Sequence, residues 1–247
     1  MIVFFAFTTE GGDFTFDNIA QIGERMNVFL LSFKLAIIAT VFCFIIGYPL
    51  AYILSRAKPV AQRTMIMLIM LPMWMNFLIR TYAWMTILEK TGLLNSLLGM
   101  IGLGPYKMIN TEGAVVLGMV YNYLPFMVLP LYTIMMKIDT SVIEAAQDLG
   151  ANSFHVFARV IVPLSVPGII SGVTMVFVPS VSTFIISQML GGGQNMLIGD
   201  LIQEQFVGGS YNPHLGSAMS LVLMVVILLV MGIVNRMDDE DKEGMLI

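Results

Sequence analysis

The chain has 247 residues, of which 57% are hydrophobic and only 11% are charged. Because a soluble domain has roughly 25% charged residues, this composition and a mean hydropathy of +0.87 exclude an ordinary water-soluble protein and predict an integral membrane protein. The formal net charge of −4 comes largely from an acidic C-terminal tail, which is interpreted as a solvated terminus and gives no sign of a nucleic-acid partner.

The apolar runs predict an all-α fold, a polytopic transmembrane helix bundle that forms a single membrane domain over residues 1–247. A helical span needs about 20 apolar residues, so about five or six spans fit in the chain. Residues 1–7 are too few to cross the bilayer and are interpreted as the remnant of a first span. Complete spans are predicted at residues 28–54, 64–88, 113–136, 164–187 and 217–234.

The basic residues are unevenly distributed between alternate loops. The loops on one side carry seven Lys and Arg residues, and those on the other side carry three. Cytoplasmic loops of membrane proteins have an excess of Lys and Arg. The loop at residues 137–163 and the C-terminus are therefore predicted to be cytoplasmic, and the connectors at residues 8–27, 89–112 and 188–216 to lie outside.

The sequence lacks the usual motifs for chemistry. No G-x-x-x-x-G-K-[ST] phosphate-binding loop is present, so the chain is not expected to hydrolyse ATP alone. His155 and His214 fall in loops on opposite predicted faces, and Cys43 is the one cysteine. We therefore predict no catalytic residues, no metal site and no cofactor.

Residues 144–163 form a polar segment between two apolar runs. Asp139, Thr140 and Ser141 are each able to cap a helix that begins in the stretch of good helix formers after them, and Gly150 predicts a sharp turn after that helix. A second short helix at residues 153–160 is predicted to carry Phe154 and Phe157 on one face. Such a helix-turn-helix across the cytoplasmic mouth suits a groove on a partner protein. An ordinary interhelical loop is equally compatible with these residues.

A motif in this segment resembles the EAA loop of ABC importer membrane subunits. The spacing is Glu-Ala-Ala, three residues, Gly, nine residues, an aliphatic residue, one residue, and then aliphatic-Pro; it is matched from Glu144 to Pro163. Val160 and Val162 stand where the family usually has Ile and Leu. Further stretches resemble the spermidine/putrescine (PotB-like) branch of these binding-protein-dependent permeases, at residues 14–18, 47–52, 78–84, 124–128 and 197–203.

This resemblance implies the fold of a type I ABC importer permease and transport of polyamine by alternating access in the cell inner membrane. It also implies two ABC ATPase subunits that hydrolyse ATP, a second permease subunit, an extracytoplasmic solute-binding protein and a lipid bilayer as partners. The family has six spans, whereas this chain is expected to have five complete ones. The residues implied to couple to the ATPase are Glu144, Ala145, Ala146, Asp148, Gly150 and Pro163.

Polar groups within apolar runs are costly and mark candidate residues of a substrate pathway. Two interpretations of Arg80 are open. It lines the substrate cavity, or it has a structural role in which carbonyl groups cap the guanidinium or the side chain reaches outward to the membrane interface. Asp200 and Glu204 also have two interpretations: they attract cations to the pathway, or they belong to a solvated loop. The remaining candidates contact substrate amines by hydrogen bonds or cation–π interactions, or else pack between helices; they are Asn76, Trp84, Tyr121, Asn122 and Tyr123.

Other functions are disfavoured by sequence. A secondary transporter or channel would not need the EAA spacing, and a membrane enzyme would need convergent His, Asp or Ser groups, which the spans lack. Within the ABC class, permeases for ferric iron, sulfate or phosphonate share the loop. No single residue indicates on physical grounds that the substrate is a polyamine.

Overall fold

The computed structural model describes residues 1–9 and 11–244, without the side chains of residues 235 and 237–244. The acidic side chains of the C-terminal tail, predicted to be solvated, lie outside the described part. Over the described residues the chain is helical and has no strand, and Thr8 and Phe14 form an isolated antiparallel bridge. The all-α prediction is confirmed.

The helices follow one another with short connections. They are α1 (Ile2–Ala6), α2 (Asp17–Ala20), α3 (Met26–Arg56), α4 (Pro59–Trp74), α5 (Phe77–Leu88), α6 (Leu93–Met100), α7 (Glu112–Met135), α8 (Thr140–Asp148), α9 (Ser153–Val156), α10 (Val162–Ser182), α11 (Ile185–Gly191), α12 (Ile198–Val207) and α13 (Pro213–Gly244). A 3₁₀ turn, Gln21–Arg25, precedes α3, and a π-helical turn, Phe157–Ile161, joins α9 to α10.

Several helices are long and apolar enough to cross a membrane. Within the described chain there are four such helical runs, Asp17–Arg56, Glu112–Met135, Ser153–Ser182 and Pro213–Val234. A fifth is obtained if the bent pair Pro59–Trp74 and Phe77–Met100 is counted as one span. This agrees with a polytopic helix bundle; the prediction of one membrane domain over residues 1–247 stays a prediction.

The second predicted span, residues 64–88, is not one continuous helix. The backbone is extended at Met75, with φ −76° and ψ 147°, and α5 begins after it. The Asn76 side chain accepts hydrogen bonds from the backbone N–H groups of Leu78 and Ile79, at 2.9 and 3.3 Å. An Asn side chain that satisfies free N–H groups favours a new helix start over continuation of the old helix. The break at this position was not predicted.

The predicted outer connectors also contain helices. Helix α6 lies in residues 89–112 and α12 in residues 188–216, and the fourth predicted span divides into α10 and α11. Phe184, between α10 and α11, has φ −131° and ψ −34°, which is outside helical geometry. Apolar periodicity alone did not reveal these interruptions because apolar residues continue across them.

Contacts between Cα atoms divide the chain into two compact units. Unit 1 comprises Met1–Ala39, Asn76–Tyr121 and Phe177–Val230. In this unit α11 packs closely on α7, since a Cβ at Gly118 would collide with Leu190 and would lie 2.8 Å from Ile186. The start of α12 is held by α3, because the backbone N–H of Ile198 donates to the Ser32 hydroxyl at 2.8 Å. These contacts position the connector that carries Asp200.

Unit 2 comprises Thr40–Met75, Asn122–Val176 and Met231–Ile247. Here glycines allow three helices to approach one another around Met127. A Cβ at Gly47 would lie 3.0 Å from the Met127 side chain, and one at Gly172 would lie 2.8 Å from the Met127 sulfur. Close packing at small residues is the usual mode of helix association in membranes.

Candidate functional site

The segment predicted to dock a partner is built from α8, a turn and α9. Asp139 is the N-cap of α8, and its carboxylate accepts from the Ser141 backbone N–H at 3.0 Å. The Ser141 backbone and hydroxyl hold the pKa of Asp139 below its ordinary value. Asn152 caps α9 in the same way, accepting from the backbone N–H of His155 at 2.8 Å. The predicted capped helix-turn-helix is therefore present.

The turn between the two helices requires glycine. Gly150 has φ +84°, in the left-handed region. Its N–H donates to the carbonyl of Gln147 at 2.8 Å, and the N–H of Ala151 donates to the carbonyl of Ala146 at 3.1 Å. This pair of bonds is the Schellman motif, which closes a helix C-terminus through a left-handed residue. The predicted role of Gly150 in a sharp turn is confirmed.

The outer face of this helix-turn-helix is partly apolar although it is exposed. Glu144, Ala145 and Asp148 are exposed on α8. Leu149, directly before the turn, is 89% exposed, and Phe154 on α9 is 74% exposed. Exposed apolar side chains in a polar loop indicate a surface for another protein. Sequence reasoning did not single out Leu149, although its place beside the turn glycine is a usable signal.

The inner face of the loop packs on a small core. Ile138, Val156 and Ile161 are buried together, and Ala146 from α8 packs against them. Tyr52 from α3 and Phe157 from the π-helical turn also pack on this cluster, with their ring centroids 6.1 Å apart. Phe154 and Phe157 were predicted to lie on one face of the second helix. In the structure Phe157 packs inward on the buried cluster, whereas Phe154 is exposed.

A second contact ties the same region of α3 to the start of α10. The Tyr48 and Ser165 hydroxyls are 2.8 Å apart, and the Tyr48 and Phe157 ring centroids are 5.6 Å apart in an edge-to-face arrangement. Sequence reasoning missed Tyr48, Tyr52 and Ser165. The signal was a pair of tyrosines four residues apart, which lie on one face of a helix. The helix-turn-helix is thus anchored to both α3 and α10, and Pro163 lies in the first turn of α10.

Three of the predicted pathway residues come together in unit 1. The Arg80 guanidinium carbon lies 5.8 Å from the Tyr121 ring centroid and 5.7 Å from that of Phe77. Trp84 packs edge-to-face on Tyr121, with centroids 5.3 Å apart. Arg80 is only 7% exposed. Stacking between aromatic rings favours the structural alternative for Arg80.

The other predicted polar residues have separate places. Asn76 caps α5 and is exposed. Asn122 and Tyr123 belong to unit 2 and are both buried within α7. Capping gives Asn76 a local structural role.

Asp200 and Glu204 line a cavity of about 220 Å³ formed by α11, α12 and the residues that join and follow them. Asp200 is 4% exposed, so the alternative of a solvated loop is wrong for this residue. Its Oδ2 accepts from the backbone N–H of Leu197 at 2.7 Å, which caps α12. Burial raises the pKa of Asp200, and the Leu197 N–H and the nearby polar side chains of Ser187 and Gln188 oppose that change. Glu204 is half-buried and accepts from the Ser210 hydroxyl at 3.0 Å.

Comparison with known proteins agrees with the loop and the fold. A family model described as "Binding-protein-dependent transport system inner membrane component" matches residues 39–239. The chain is similar to a bacterial ABC transporter involved in the import of the acidic polysaccharide alginate, with a TM-score of 0.82 and 17% identity over 97% of this chain and 88% of that one. This structural likeness supports the fold of an importer permease.

Two relatives are more similar in sequence. The chain is 42% identical over 207 residues to the spermidine/putrescine transport system permease protein PotB of Haemophilus influenzae, covering 83% of this chain and 72% of that protein. It is 39% identical over 217 residues to the protein of the same name from Escherichia coli K12, covering 86% of this chain and 78% of that protein. The family predicted from the EAA spacing is thereby confirmed, and the chain belongs to the binding-protein-dependent transport system inner membrane components, with the fold of an ABC importer permease.

Proposed function

We propose that this chain is a membrane-spanning subunit of an ATP-driven importer and translocates a polyamine such as spermidine or putrescine. The observation that carries the substrate is the 42% identity over 83% of the chain to a permease named for these two compounds. The chain itself is a transport subunit, and ATP is hydrolysed on a separate ATPase subunit. This assignment explains why a helix-turn-helix with exposed apolar side chains projects from a protein without a phosphate-binding loop.

The proposed docking surface consists of Glu144, Ala145, Asp148, Leu149 and Phe154 (the coupling surface). Leu149 and Phe154 are the exposed apolar residues on either side of the Gly150 turn. Apolar side chains that enter a groove supply most of the affinity of helix-in-groove contacts. Glu144 and Asp148, one helical turn apart, add two negative charges that fit a basic rim on the ATPase.

The coupling surface is supported by three further residues, Ala146, Gly150 and Pro163. Ala146 packs on the buried cluster around Val156, and Gly150 sets the angle between α8 and α9. A motion of the docked ATPase reaches α3 through the Tyr52–Phe157 contact and α10 through the π-helical turn that precedes Pro163. Single π-helical turns occur frequently at functional sites, and here the turn is the proposed point of deformation.

The coupling surface must face the ATPase, so the loop at residues 137–163 and the C-terminus are placed in the cytoplasm. The seven-to-three distribution of Lys and Arg supports this orientation. The connectors at residues 8–27, 89–112 and 188–216 then face outward, where a solute-binding protein delivers substrate. A second permease subunit completes the pathway across the inner membrane.

Uptake of radiolabelled spermidine tests the proposal. The chain is expressed with its ATPase, second permease and solute-binding protein in cells without their own polyamine importers. We expect saturable uptake that is lost when the ATPase is inactivated by mutation. Uptake of sulfate, phosphonate or ferric iron instead of polyamine would reassign the substrate, and uptake that persists without ATP hydrolysis would contradict an ABC importer.

A further inference from the structure

The cavity beside α12 has an unusual balance of charges. Its described lining residues include the carboxylates of Asp200 and Glu204 and the amides of Gln188 and Gln203, and none of the nine residues that line it is Lys, Arg or His. Asp200 and Glu204 are four residues apart on α12, so both lie on one face of the helix. The cavity is therefore rich in hydrogen-bond acceptors and has no positive charge of its own.

One acceptor in this cavity lacks a donor. The Oδ1 atom of Asp200 is buried and has no hydrogen-bond partner among the described residues, whereas Oδ2 accepts from Leu197. Ser187 lies close by, but its hydroxyl donates to the carbonyl of Phe184 at 2.8 Å. The Gln188 amide donates to Gln203 Oε1 at 2.6 Å across the cavity. A buried carboxylate oxygen without a donor is unfavourable, and a ligand with N–H groups would satisfy it.

Free backbone N–H groups at a helix N-terminus often bind anions, but the start of α12 does not make this cavity an anion site. The backbone N–H groups of Leu197, the N-cap of α12, and of Ile198, its first residue, already donate to Asp200 and Ser32. A divalent metal ion is also poorly matched. Calcium takes six to eight oxygen ligands, and no group of three or more His, Cys, Asp or Glu residues suitable for a metal occurs in the described part of the chain.

A primary ammonium group fits these features. It carries three N–H donors and no acceptor, as the Lys side chain does, and is attracted to paired carboxylates. Met196 and Val207 add apolar walls against which methylene groups can pack. A volume of about 220 Å³ is smaller than the roughly 300–1,000 Å³ of typical ligand pockets. The cavity therefore suits one end of a slender molecule and not a bulky ligand.

We propose that this cavity binds one primary ammonium group of a linear polyamine, together with its first methylene groups, and that Asp200 is the principal charge partner. The assignment rests on the proposed function and deepens it, since it gives the outward connector a role in receiving substrate. Glu204 adds a second negative charge at the cavity, and the Gln188–Gln203 hydrogen bond links α11 to α12 beside the bound amine.

Direct binding to the assembled permease and ATPase tests this site without the solute-binding protein, whose own affinity would mask it. The complex is placed in nanodiscs, and radiolabelled spermidine is titrated at constant ionic strength. Asp200→Asn keeps an oxygen for the Leu197 N–H, because Asn caps helices as well as Asp does, and removes only the charge. Loss of a hydrogen bond to a charged group weakens binding by about tenfold or more. The matched control Asp13→Asn, at an exposed position outside the cavity, should bind as the wild type does.

A second variant fills the site without disturbing the cap. Val207 lines the cavity and is largely exposed, so Val207→Lys should fold and place its own ammonium beside the carboxylates. We expect spermidine binding to be lost in Val207→Lys and retained in Val207→Met. Wild-type affinity in both Asp200→Asn and Val207→Lys would overturn the proposal, as would displacement of spermidine by sodium but not by choline at equal ionic strength.

The two proposals fail in different ways. If the wild-type importer takes up spermidine but its nanodisc complex binds none, or if both cavity variants bind it normally, the ammonium site is wrong and the importer assignment stands. If the wild-type importer takes up no polyamine, the polyamine assignment is wrong, and the site assignment fails with it.

Discussion

The left-handed turn at Gly150 offers the sharpest test of ATPase docking. The residue is exposed, has φ +84°, and an added Cβ would meet no atom within 4 Å. Gly150→Ala therefore creates no clash inside the chain, and its effect comes from the backbone alone. An L-residue with a Cβ pays about 1–2 kcal/mol in this conformation, whereas Asn tolerates it better.

The size of the effect on docking follows from that cost. If the angle between α8 and α9 must be kept for the ATPase to bind, a strain of about 1–2 kcal/mol lowers the population of the competent turn by roughly five- to thirtyfold. The apparent affinity falls by up to the same factor, because it scales with the fraction of chains in the competent state. Gly150→Asn should lose less affinity than Gly150→Ala. Gly150→Asp also adds a third negative charge near the exposed Glu144 and Asp148, and we expect it to abolish transport and weaken ATPase attachment.

Titration of the purified ATPase onto the permease in nanodiscs measures these affinities, and spermidine uptake measures the consequence. The reasoning about geometry is refuted if the Ala and Asn variants lose the same affinity, since only the presence of a side chain would then matter. Normal ATPase binding and normal uptake in Gly150→Asp would refute the docking role altogether.

Three further predictions concern the supports of the two sites. Phe157→Ala removes the ring that packs on Tyr48 and Tyr52 and should reduce uptake more than ATPase binding, as comparison of uptake with the ATPase titration would reveal. Gly199→Ala places a Cβ 2.5 Å from the carbonyl oxygens at Ser182 and Thr183 and should destabilise the protein by about 1–3 kcal/mol, whereas a Cβ at Gly113 makes only an ordinary contact, 3.8 Å from the Thr111 hydroxyl; thermal unfolding of Gly199→Ala and Gly113→Ala in detergent separates them. Burial raises the pKa of Asp200, so the folded state favours the protonated carboxyl. The stability that protonation provides is complete when the pH is below the pKa of the unfolded chain, and it is lost as the pH rises through the pKa of the folded state. The melting temperature of Asp200→Asn relative to wild type should therefore increase as the pH rises from about 4 to 7; a pH-independent difference would contradict the burial argument.

The features that depend on local sequence could be predicted. A helix cap among residues 139–141 and a sharp turn at Gly150 both follow from the chemistry of a few neighbouring residues, and in the structure Asp139 is the cap and Gly150 the left-handed residue. The membrane class follows from composition in the same way. The EAA spacing identified the family because it fixes residue types at several separated positions.

The features that depend on distant partners could not be predicted. The burial of Asp200 results from packing of α12 against α11 and α3, and nothing in residues 197–203 distinguishes it from a solvated acidic loop. The break at Met75 depends on a choice between two backbone paths that are both compatible with an apolar run. The inward position of Phe157 depends on tyrosines about a hundred residues earlier in the chain.

The two proposed sites share a physical logic. In the parts of a protein that face water, apolar side chains are usually buried and carboxylates are usually exposed. In this chain Leu149 and Phe154 are exposed, and Asp200 is buried. Neither reversal lies in loosely held chain: the Schellman turn and the Asn152 cap fix the coupling surface, and the Leu197 bond fixes the Asp200 carboxylate. Local bonds that hold an unfavourable arrangement in place indicate that the arrangement serves function. A protein groove would bury the first two side chains, and an ammonium group would neutralise the third, so each reversal specifies the chemistry of the partner that relieves it.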